Sequence, residues 1–119
     1  MKDFRDLKVW KKAHGFVLGV YRDSRSFPNE ERFGLTSHLR KSASSITSNI
    51  AEGCGRETDK DFARFLSIAA GSTSETEYQL LLARDLDYLS EERHRCLNDQ
   101  VNEVKRMLNS LIQTLNQNL

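Results

Sequence analysis

The chain has 119 residues, of which 38% are hydrophobic and 29% are charged, and its formal net charge is +1. This length predicts one globular domain over residues 1–119 whose core needs neither disulfides nor a metal, and the low glycine and proline content excludes a linker or a collagen-like repeat. The pI near 7.8 lies below the values above about 9 that are typical of dedicated nucleic-acid-binding domains.

The first two predicted helices flank the only proline of the chain, Pro28. The first covers residues 6–24, because its apolar residues recur every three or four positions. The second covers residues 30–52 and ends before Gly53, which accepts the conformation that terminates a helix. Its core stripe lies among small hydroxyl side chains, which let a neighbouring helix approach closely. The two stripes are Leu7, Trp10, Ala13, Val17, Val20 and Tyr21, then Leu35, Leu39, Ala43, Ile46 and Ile50.

The third and fourth predicted helices each begin at a hydroxyl residue that suits a helix cap, Thr58 and Ser90. The third covers residues 58–88, and the pair Gly71 and Ser72 inside it predicts a close helix crossing. The fourth covers residues 91–116 and has a heptad spacing of apolar residues. Four long helices with short connections predict an all-α, antiparallel up-down four-helix bundle. The heptad residues are Leu97, Val101, Val104, Leu108, Leu111 and Leu115.

Several strings, taken together and in order, resemble one known family. They are Phe4-x-x-Leu7-x-Val9-Trp10-Lys11-Lys12-Ala13, Tyr21, Phe27-Pro28-x-x-Glu31, Gly34-Leu35, Leu39-Arg40, Ser45-Ile46-x-Ser48-Asn49-Ile50-Ala51-Glu52-Gly53, Phe65-Leu66-x-Ile68-Ala69-x-Gly71-Ser72 and Glu75. The pattern resembles the bacterial four-helix-bundle proteins encoded in intervening sequences of 23S rRNA genes, also labelled ribosomal protein S23. The chain departs from it at His38, where the family usually has glutamine; we interpret this as a surface change.

The resemblance carries expectations about assembly and partners. It implies a homopentameric ring of up-down bundles and a nucleic-acid-binding role, with RNA as the first partner to test. It also implies a relationship to the accessory protein of diversity-generating retroelements, which assists a reverse transcriptase. The family has no established enzymatic activity, so the resemblance is more informative about fold than about function.

The first helix carries a positively charged face opposite its apolar stripe. Residues 1–28 contain seven Lys/Arg and three Asp/Glu, whereas residues 58–89 contain three and six. Clustered Lys/Arg release counterions from nucleic acid, so this face is the predicted binding surface; the plain alternative is a solvated helix face. The predicted nucleic-acid-binding residues are Arg5, Lys8, Lys11, Lys12 and Arg22, with Arg40 and Lys41 on the second helix.

The string from Asn49 to Gly53 has two interpretations. In the architectural one, Asn49 forms hydrogen bonds across the bundle, and Glu52 accepts backbone N–H groups near Thr58 at the start of the third helix. The alternative is a recognition site for a nucleic acid or a protein partner. We favour architecture, and expect the structural motif to comprise Asn49, Glu52, Gly53, Gly71 and Ser72.

A second apolar stripe on the third helix predicts self-association. It lies about 120–180° from the core stripe, where a helix of a monomeric bundle is polar. Exposed apolar patches of this kind mark interfaces; the alternative is that Phe27 or Phe4 of the same chain covers the stripe. The predicted interface residues are Ile68, Tyr78, Leu82, Leu86 and Leu89.

Chemical motifs are sparse. Glu91 and His94 copy one half of a di-iron site, but the required second copy is missing from the sequence. No phosphate loop, nucleophile elbow or zinc-protease motif is present. With no membrane-length apolar run, no secretory-like start and no metal or redox pattern in the cysteines, we expect a cytoplasmic, non-enzymatic protein without cofactor or metal. The functional alternative to nucleic-acid binding is a structural or adaptor bundle that binds another protein.

Overall fold

The computed structural model describes residues 2–118, which form four long α-helices joined by short turns. The helices are α1 (Lys8–Asp23), α2 (Leu35–Cys54), α3 (Asp59–Asp85) and α4 (Glu91–Gln117). α1 and α3 each pack against both α2 and α4, so α1 and α3 occupy opposite corners of a bundle measuring 46 × 23 × 20 Å. No strand occurs within residues 2–118. The all-α four-helix fold predicted from the sequence is therefore confirmed.

The predicted caps of α3 and α4 are present. The hydroxyl oxygen of Thr58 accepts a hydrogen bond from the Asp61 N–H at 3.1 Å, and that of Ser90 accepts one from the Arg93 N–H at 3.1 Å. Each cap satisfies a backbone donor that has no partner within its own helix. The sequence therefore indicates both helix starts to within one residue.

The start of α2 differs from the sequence expectation. Residues Asn29–Glu31 form a separate 3-10 turn, and the α-helix begins only at Leu35. One Glu31 carboxylate oxygen accepts the Leu35 N–H at 3.2 Å, and the other accepts the Tyr88 hydroxyl at 3.0 Å. A Cβ at Gly34 would lie 2.7 Å from Glu31 Oε1, so glycine makes room for this cap. The string Phe27-Pro28-x-x-Glu31-x-x-Gly34 therefore builds a turn that fixes the entry to α2.

The core is a single apolar cluster to which all four helices contribute. Every residue of the α4 heptad is buried or, for Leu111, half-buried against the core. Burial of a large aliphatic side chain contributes about 1.5–3 kcal/mol, so this seam is a main source of stability. Residues with 1% exposure or less include Ala13, Phe16, Val20, Leu39, Ile46, Ile50, Leu66, Leu80, Val101 and Leu108. No helix of residues 2–118 is both long and apolar enough to cross a membrane.

A polar seam joins α2 to α3 beside this core. Thr76 donates to the Ser42 hydroxyl at 2.9 Å, and Ser42 in turn donates to Gln79 Oε1 at 2.6 Å. One turn further along α2, the hydroxyls of Ser45 and Ser72 lie 3.0 Å apart. These small side chains bring the two helices together and satisfy one another's hydrogen bonds. We call this network the α2–α3 seam; it consists of Ser42, Ser45, Asn49, Ser72, Thr76 and Gln79.

The motif residues in and beside the α2–α3 seam differ in role from the sequence expectation. Asn49 donates to Ser45 O at 2.8 Å and to Ser45 Oγ at 3.0 Å, within its own helix, and reaches α3 only through Ser45. Gly53 is the site of the close approach, because a Cβ there would lie 2.9 Å from a Phe62 ring carbon. The prediction for Gly71 was wrong: it is exposed, with no atom within 4 Å of a Cβ built on it.

The prediction for Glu52 was also wrong. Its carboxylate is exposed and lies 3.8 Å from Arg56, one turn along the chain, and it accepts no backbone N–H from the start of α3. The Thr58 hydroxyl caps α3 instead, so no carboxylate is needed there.

The outer face of α3 retains part of the predicted second stripe. Ile68, Tyr78 and Leu86 are exposed, Tyr78 at 60%, and Leu81 adds a further exposed apolar side chain. Leu82 is half-buried against the core, and Leu89 was wrongly included, since it is only 5% exposed. The reason is that α3 ends at Asp85, and the left-handed Asp87 (φ 63°) turns the chain so that Leu89 points into the core.

Candidate nucleic-acid interface

Four of the five basic residues predicted for the first helix lie on one side of α1. Lys8, Lys11, Lys12 and Arg22 are all exposed and fall within about 100° of arc at 3.6 residues per turn. Arg5 lies in the 3-10 turn Phe4–Asp6 before α1, where its guanidinium pairs with Asp3 at 3.2 Å and lies over the Phe4 ring. The expected five-residue helical face is therefore a four-residue face, and Arg5 is held outside it.

Within residues 2–118, only two of the four basic residues on this face have an acidic partner. Lys12 pairs with Glu103 on α4 at 3.2 Å, and Arg22 with Asp23 at 3.3 Å. Among the residues that the structure describes, Lys8 and Lys11 have no carboxylate within 4 Å. Exposed pairs are worth little, so Lys12 and Arg22 can still exchange their partners for a phosphate.

The two predicted residues of α2, Arg40 and Lys41, are not part of the basic face of α1. Arg40 donates to Ser24 Oγ at 2.8 Å and to Tyr21 O at 3.3 Å, and its guanidinium lies 4.9 Å from the Tyr21 ring centroid. These contacts tie α2 to the end of α1 and fix a positive charge there. Lys41 is exposed and has no ion pair within residues 2–118.

Unpaired cations concentrate on the side of the bundle formed by α1 and α2. Between Lys8 and Ala51 the only acids are Asp23, Glu30 and Glu31. Asp23 forms an ion pair with Arg93 at 2.8 Å, and the Glu31 carboxylate accepts a hydrogen bond from the backbone at the start of α2. On α3 and α4 together, by contrast, only Lys60, Arg95 and Arg106 have no carboxylate within 4 Å among the described residues. On the α1–α2 side the cations without one are Lys8, Lys11, Arg25, Arg32, Arg40 and Lys41.

A groove between the end of α1 and the start of α2 was not predicted from the sequence. Phe33 projects beside it, 85% exposed, with the Arg32 guanidinium 5.3 Å from its ring centroid. The signal was available, because Phe33 falls outside the Leu35 stripe and directly precedes Gly34 in a turn. We call this the α1–α2 groove; it is lined by Tyr21, Arg32, Phe33, Thr36, Ser37, Arg40, Lys41 and Ser44.

The titratable groups with clear pKa shifts lie outside this surface. Burial of the imidazole, with the Arg84 charge second, lowers the pKa of His94. Burial raises the pKa of the Cys54 thiol. The hydrogen bond from Lys105, at 2.9 Å, lowers the pKa of Glu77. Each shift follows from packing between helices, and none involves a residue of the basic face or the groove.

Comparison with known proteins decides the family. The family model described as 23S rRNA-intervening sequence protein matches residues 5–110. The chain belongs to this family. Among solved structures it is similar to a protein of unknown function from the S23 ribosomal protein family of Bacteroides thetaiotaomicron, at 27% identity and a TM-score of 0.79. That similarity covers 87% of this chain and 97% of the other. No curated protein gave a match.

Family membership confirms the resemblance carried by the strings from Phe4 to Glu75. The structure gives several of these strings a physical role. The string around Glu31 and Gly34 builds the turn into α2, and the string from Ser45 to Gly53 supplies two residues of the α2–α3 seam, Ser45 and Asn49, and the close approach at Gly53. The basic face of α1 and the exposed Phe33 have no comparable role in holding the fold.

Proposed function

We infer that the protein is a non-enzymatic, cytoplasmic nucleic-acid-binding protein that acts as a homo-oligomer and contacts phosphates through α1. The observation that carries this inference is the concentration of unpaired cations on the α1–α2 side, although the chain as a whole is nearly neutral. Positive charge without internal partners is available to displace counterions from a phosphate backbone. RNA is the first candidate, since the family description refers to intervening sequences of 23S rRNA.

The phosphate contacts are tested by salt-dependent RNA binding. Replacing Lys8, Lys11 and Lys12 with glutamine is expected to weaken binding of unrelated RNA sequences alike. It should also reduce the slope of log affinity against log salt by about 2 for single strands. The measurement is fluorescence anisotropy over a salt series. A matched control replaces Lys60, Arg64 and Arg95, which removes the same charge from α3 and α4. Equal losses in both variants would contradict a specific role for α1.

Self-association is supported by the outer face of α3. Ile68, Tyr78 and Leu81 on α3, with Leu86 directly after its last residue, are exposed large apolar side chains. Each is 38–60% exposed, so covering it completely is worth about half of the roughly 1.5–3 kcal/mol for a fully exposed side chain, which favours burial against another copy. The pentameric ring is the assembly implied by the family resemblance. Repeating a weak cationic surface in such a ring would raise the affinity for a long nucleic acid through avidity.

The self-association proposal predicts a particle larger than the 13.7 kDa chain in light scattering during chromatography. Tyr78→Glu together with Leu86→Glu should reduce the particle to a folded monomer, because charges would enter a desolvated contact. Gln113→Glu with Gln117→Glu adds the same charge at the exposed end of α4 and should leave the assembly intact. A wild-type mass equal to one chain would contradict the proposal.

A second candidate, a protein-binding adaptor, is favoured by an apolar groove between α1 and α4. Leu7, Val9, Met107 and Leu111 line it, flanked by the cations Lys8 and Arg106. Such a lining suits an amphipathic helix with acidic flanks. RNA binding that survives the α1 variant, together with loss of a protein partner in Met107→Glu, would favour this adaptor role.

A further inference from the structure

Phe33 is presented to solvent by a rigid turn. At 85% it is more exposed than any other large apolar side chain among residues 2–118. The turn is fixed on both sides, since Phe27 is buried against Tyr88 and Glu31 binds both the start of α2 and the Tyr88 hydroxyl. Leaving a phenylalanine in water forgoes about 1.5–3 kcal/mol of burial, and the bundle gains no packing from this one.

The charged side chains that line the α1–α2 groove are all positive. Arg32 lies over the ring, Arg40 is fixed against Tyr21, and Lys41 is exposed; no acidic residue lines the α1–α2 groove. An exposed aromatic ring at a groove lined by cations and by no acidic residue matches the two needs of a single-stranded nucleic acid. These are a surface for base stacking and a positive potential for the backbone.

A polar side chain without a partner also opens onto the α1–α2 groove. Thr36 is only 8% exposed, and its hydroxyl forms no hydrogen bond within residues 2–118. Among the described residues, no fully buried side-chain nitrogen or oxygen lacks a partner, so this hydroxyl reaches the groove. The buried hydroxyls of the α2–α3 seam are all bonded, which makes Thr36 an available donor and acceptor for a ligand.

We propose that the α1–α2 groove binds a single-stranded segment of nucleic acid, with one unpaired base stacked on Phe33. Lys41 and Arg32 contact the adjacent phosphates, and the Thr36 hydroxyl bonds the sugar or the base edge. This inference rests on the proposed nucleic-acid-binding function and adds to it a preference for single strands over duplexes. A duplex cannot use Phe33 in the same way, because its base faces are already stacked on one another.

The test uses three labelled probes and four full-length proteins. The probes are a uridine oligonucleotide of about ten residues, a thymidine DNA of the same length and a duplex RNA. The proteins are the wild type, Phe33→Ala, Phe33→Leu and Phe33→Trp, with binding measured by anisotropy. Phe33 is exposed, so each variant should unfold at the wild-type temperature and keep the wild-type mass. Similar affinity for the two single strands is expected, since stacking on Phe33 and the phosphate contacts need no 2′-hydroxyl.

The expected result is tighter wild-type binding of both single strands than of the duplex. Phe33→Ala and Phe33→Leu should lose roughly 5- to 150-fold in single-strand affinity, the range for one lost stacking contact. Phe33→Trp should retain that affinity, and oligonucleotide should quench its added indole emission. Leucine keeps the apolar volume and loses the aromatic face, so it separates stacking from ordinary apolar contact.

Four results would overturn the proposal. Wild-type affinity in Phe33→Leu would exclude stacking, and a smaller particle in Phe33→Ala would make Phe33 a contact between copies. Binding that is indifferent to Phe33 yet lost in the Lys8, Lys11 and Lys12 variant would overturn this groove and leave the proposed function standing. Failure of the wild type to bind any of the three probes would overturn both.

Discussion

The two sides of α2 differ in how their polar atoms are satisfied. Towards α3, Ser42, Ser45 and Thr76 form a closed network in which each hydroxyl has a partner at 2.6–3.0 Å. Towards α1, the Thr36 hydroxyl and Lys41 have no side-chain partner among residues 2–118. The same helix therefore carries one polar face whose hydrogen bonds are made within the bundle, and another on which Arg40 is bonded to α1 while the Thr36 hydroxyl and Lys41 have no partner in the described part of the chain.

This difference separates structural polar residues from candidate binding residues on a physical basis. Polar groups whose hydrogen bonds are all made within the chain stabilise the fold, and their removal costs folding free energy. Charged and aromatic groups without such partners contribute little to folding, so their removal should alter binding. Three substitutions, Gly53→Ala, Asn49→Ala and His94→Gln, test the folding half of this comparison, in order of decreasing expected effect.

Gly53→Ala tests the close approach at the end of the α2–α3 seam. The new Cβ would lie 2.9 Å from a Phe62 ring carbon and 3.0 Å from Phe65 Cβ, so the helices must move apart. Overpacking of this kind costs about 1–3 kcal/mol in the free energy of unfolding, measured by urea titration. The matched control, Gly71→Ala, has open space and should gain about 1 kcal/mol from helix propensity. The same sign of effect in both variants would contradict the account of this approach.

Asn49→Ala tests whether the Asn49 side chain is structural. The sequence alone predicts a loss of about 1–3 kcal/mol, the cost of orphaning a buried partner. In the structure, Ser45 O and Ser45 Oγ keep other partners or solvent access, so we expect the lower end, about 0.5–1.5 kcal/mol. The measurement is urea unfolding together with RNA binding. Normal stability with lost binding would show that Asn49 is a recognition residue.

A smaller, pH-dependent effect is expected from His94. Burial and the Arg84 charge lower the pKa of His94 below its ordinary value, while Asp85 and Glu91 partly oppose the shift. The folded state then binds fewer protons than the unfolded state. Stability should be full above about pH 6.5 and fall as the pH drops through the lowered pKa. Urea midpoints between about pH 7 and 5.5 should show this slope in the wild type and lose it in His94→Gln. A slope that persists in the variant would assign it to other groups.

The sequence predicts the helical elements well because they depend on periodicity and caps. The α4 heptad, the Thr58 and Ser90 caps and the four helices all follow from local patterns. The start of α2 does not, because it depends on Glu31 binding Tyr88, which is distant in the chain. The error at Leu89 has a similar origin. A continuous helix would place Leu89 on the outer face of α3, but α3 ends at Asp85 and the left-handed Asp87 turns the Leu89 side chain into the core.

The features of the proposed binding surface were harder to predict than the fold. Charge counting located the cationic first helix, but it could not show that Lys12 is paired with Glu103 or that Arg40 is tied to Ser24 and Tyr21. The sequence indicates that Phe33 lies outside the Leu35 stripe, but its degree of exposure depends on the turn that Glu31 builds with the start of α2 and with Tyr88. How the helices pack therefore determines which charged side chains have no ion-pair or hydrogen-bond partner.

The most direct test of the central claim, that the α1–α2 side is a nucleic-acid-binding surface, is photocrosslinking of the wild-type protein. A 4-thiouridine oligonucleotide would be irradiated with the protein, and the crosslinked peptides identified by mass spectrometry. The account predicts adducts on peptides from α1 and from the segment 32–44, with Phe33 among the modified residues. Adducts confined to α3 and the far side of α4, or none above a free-label control, would contradict it.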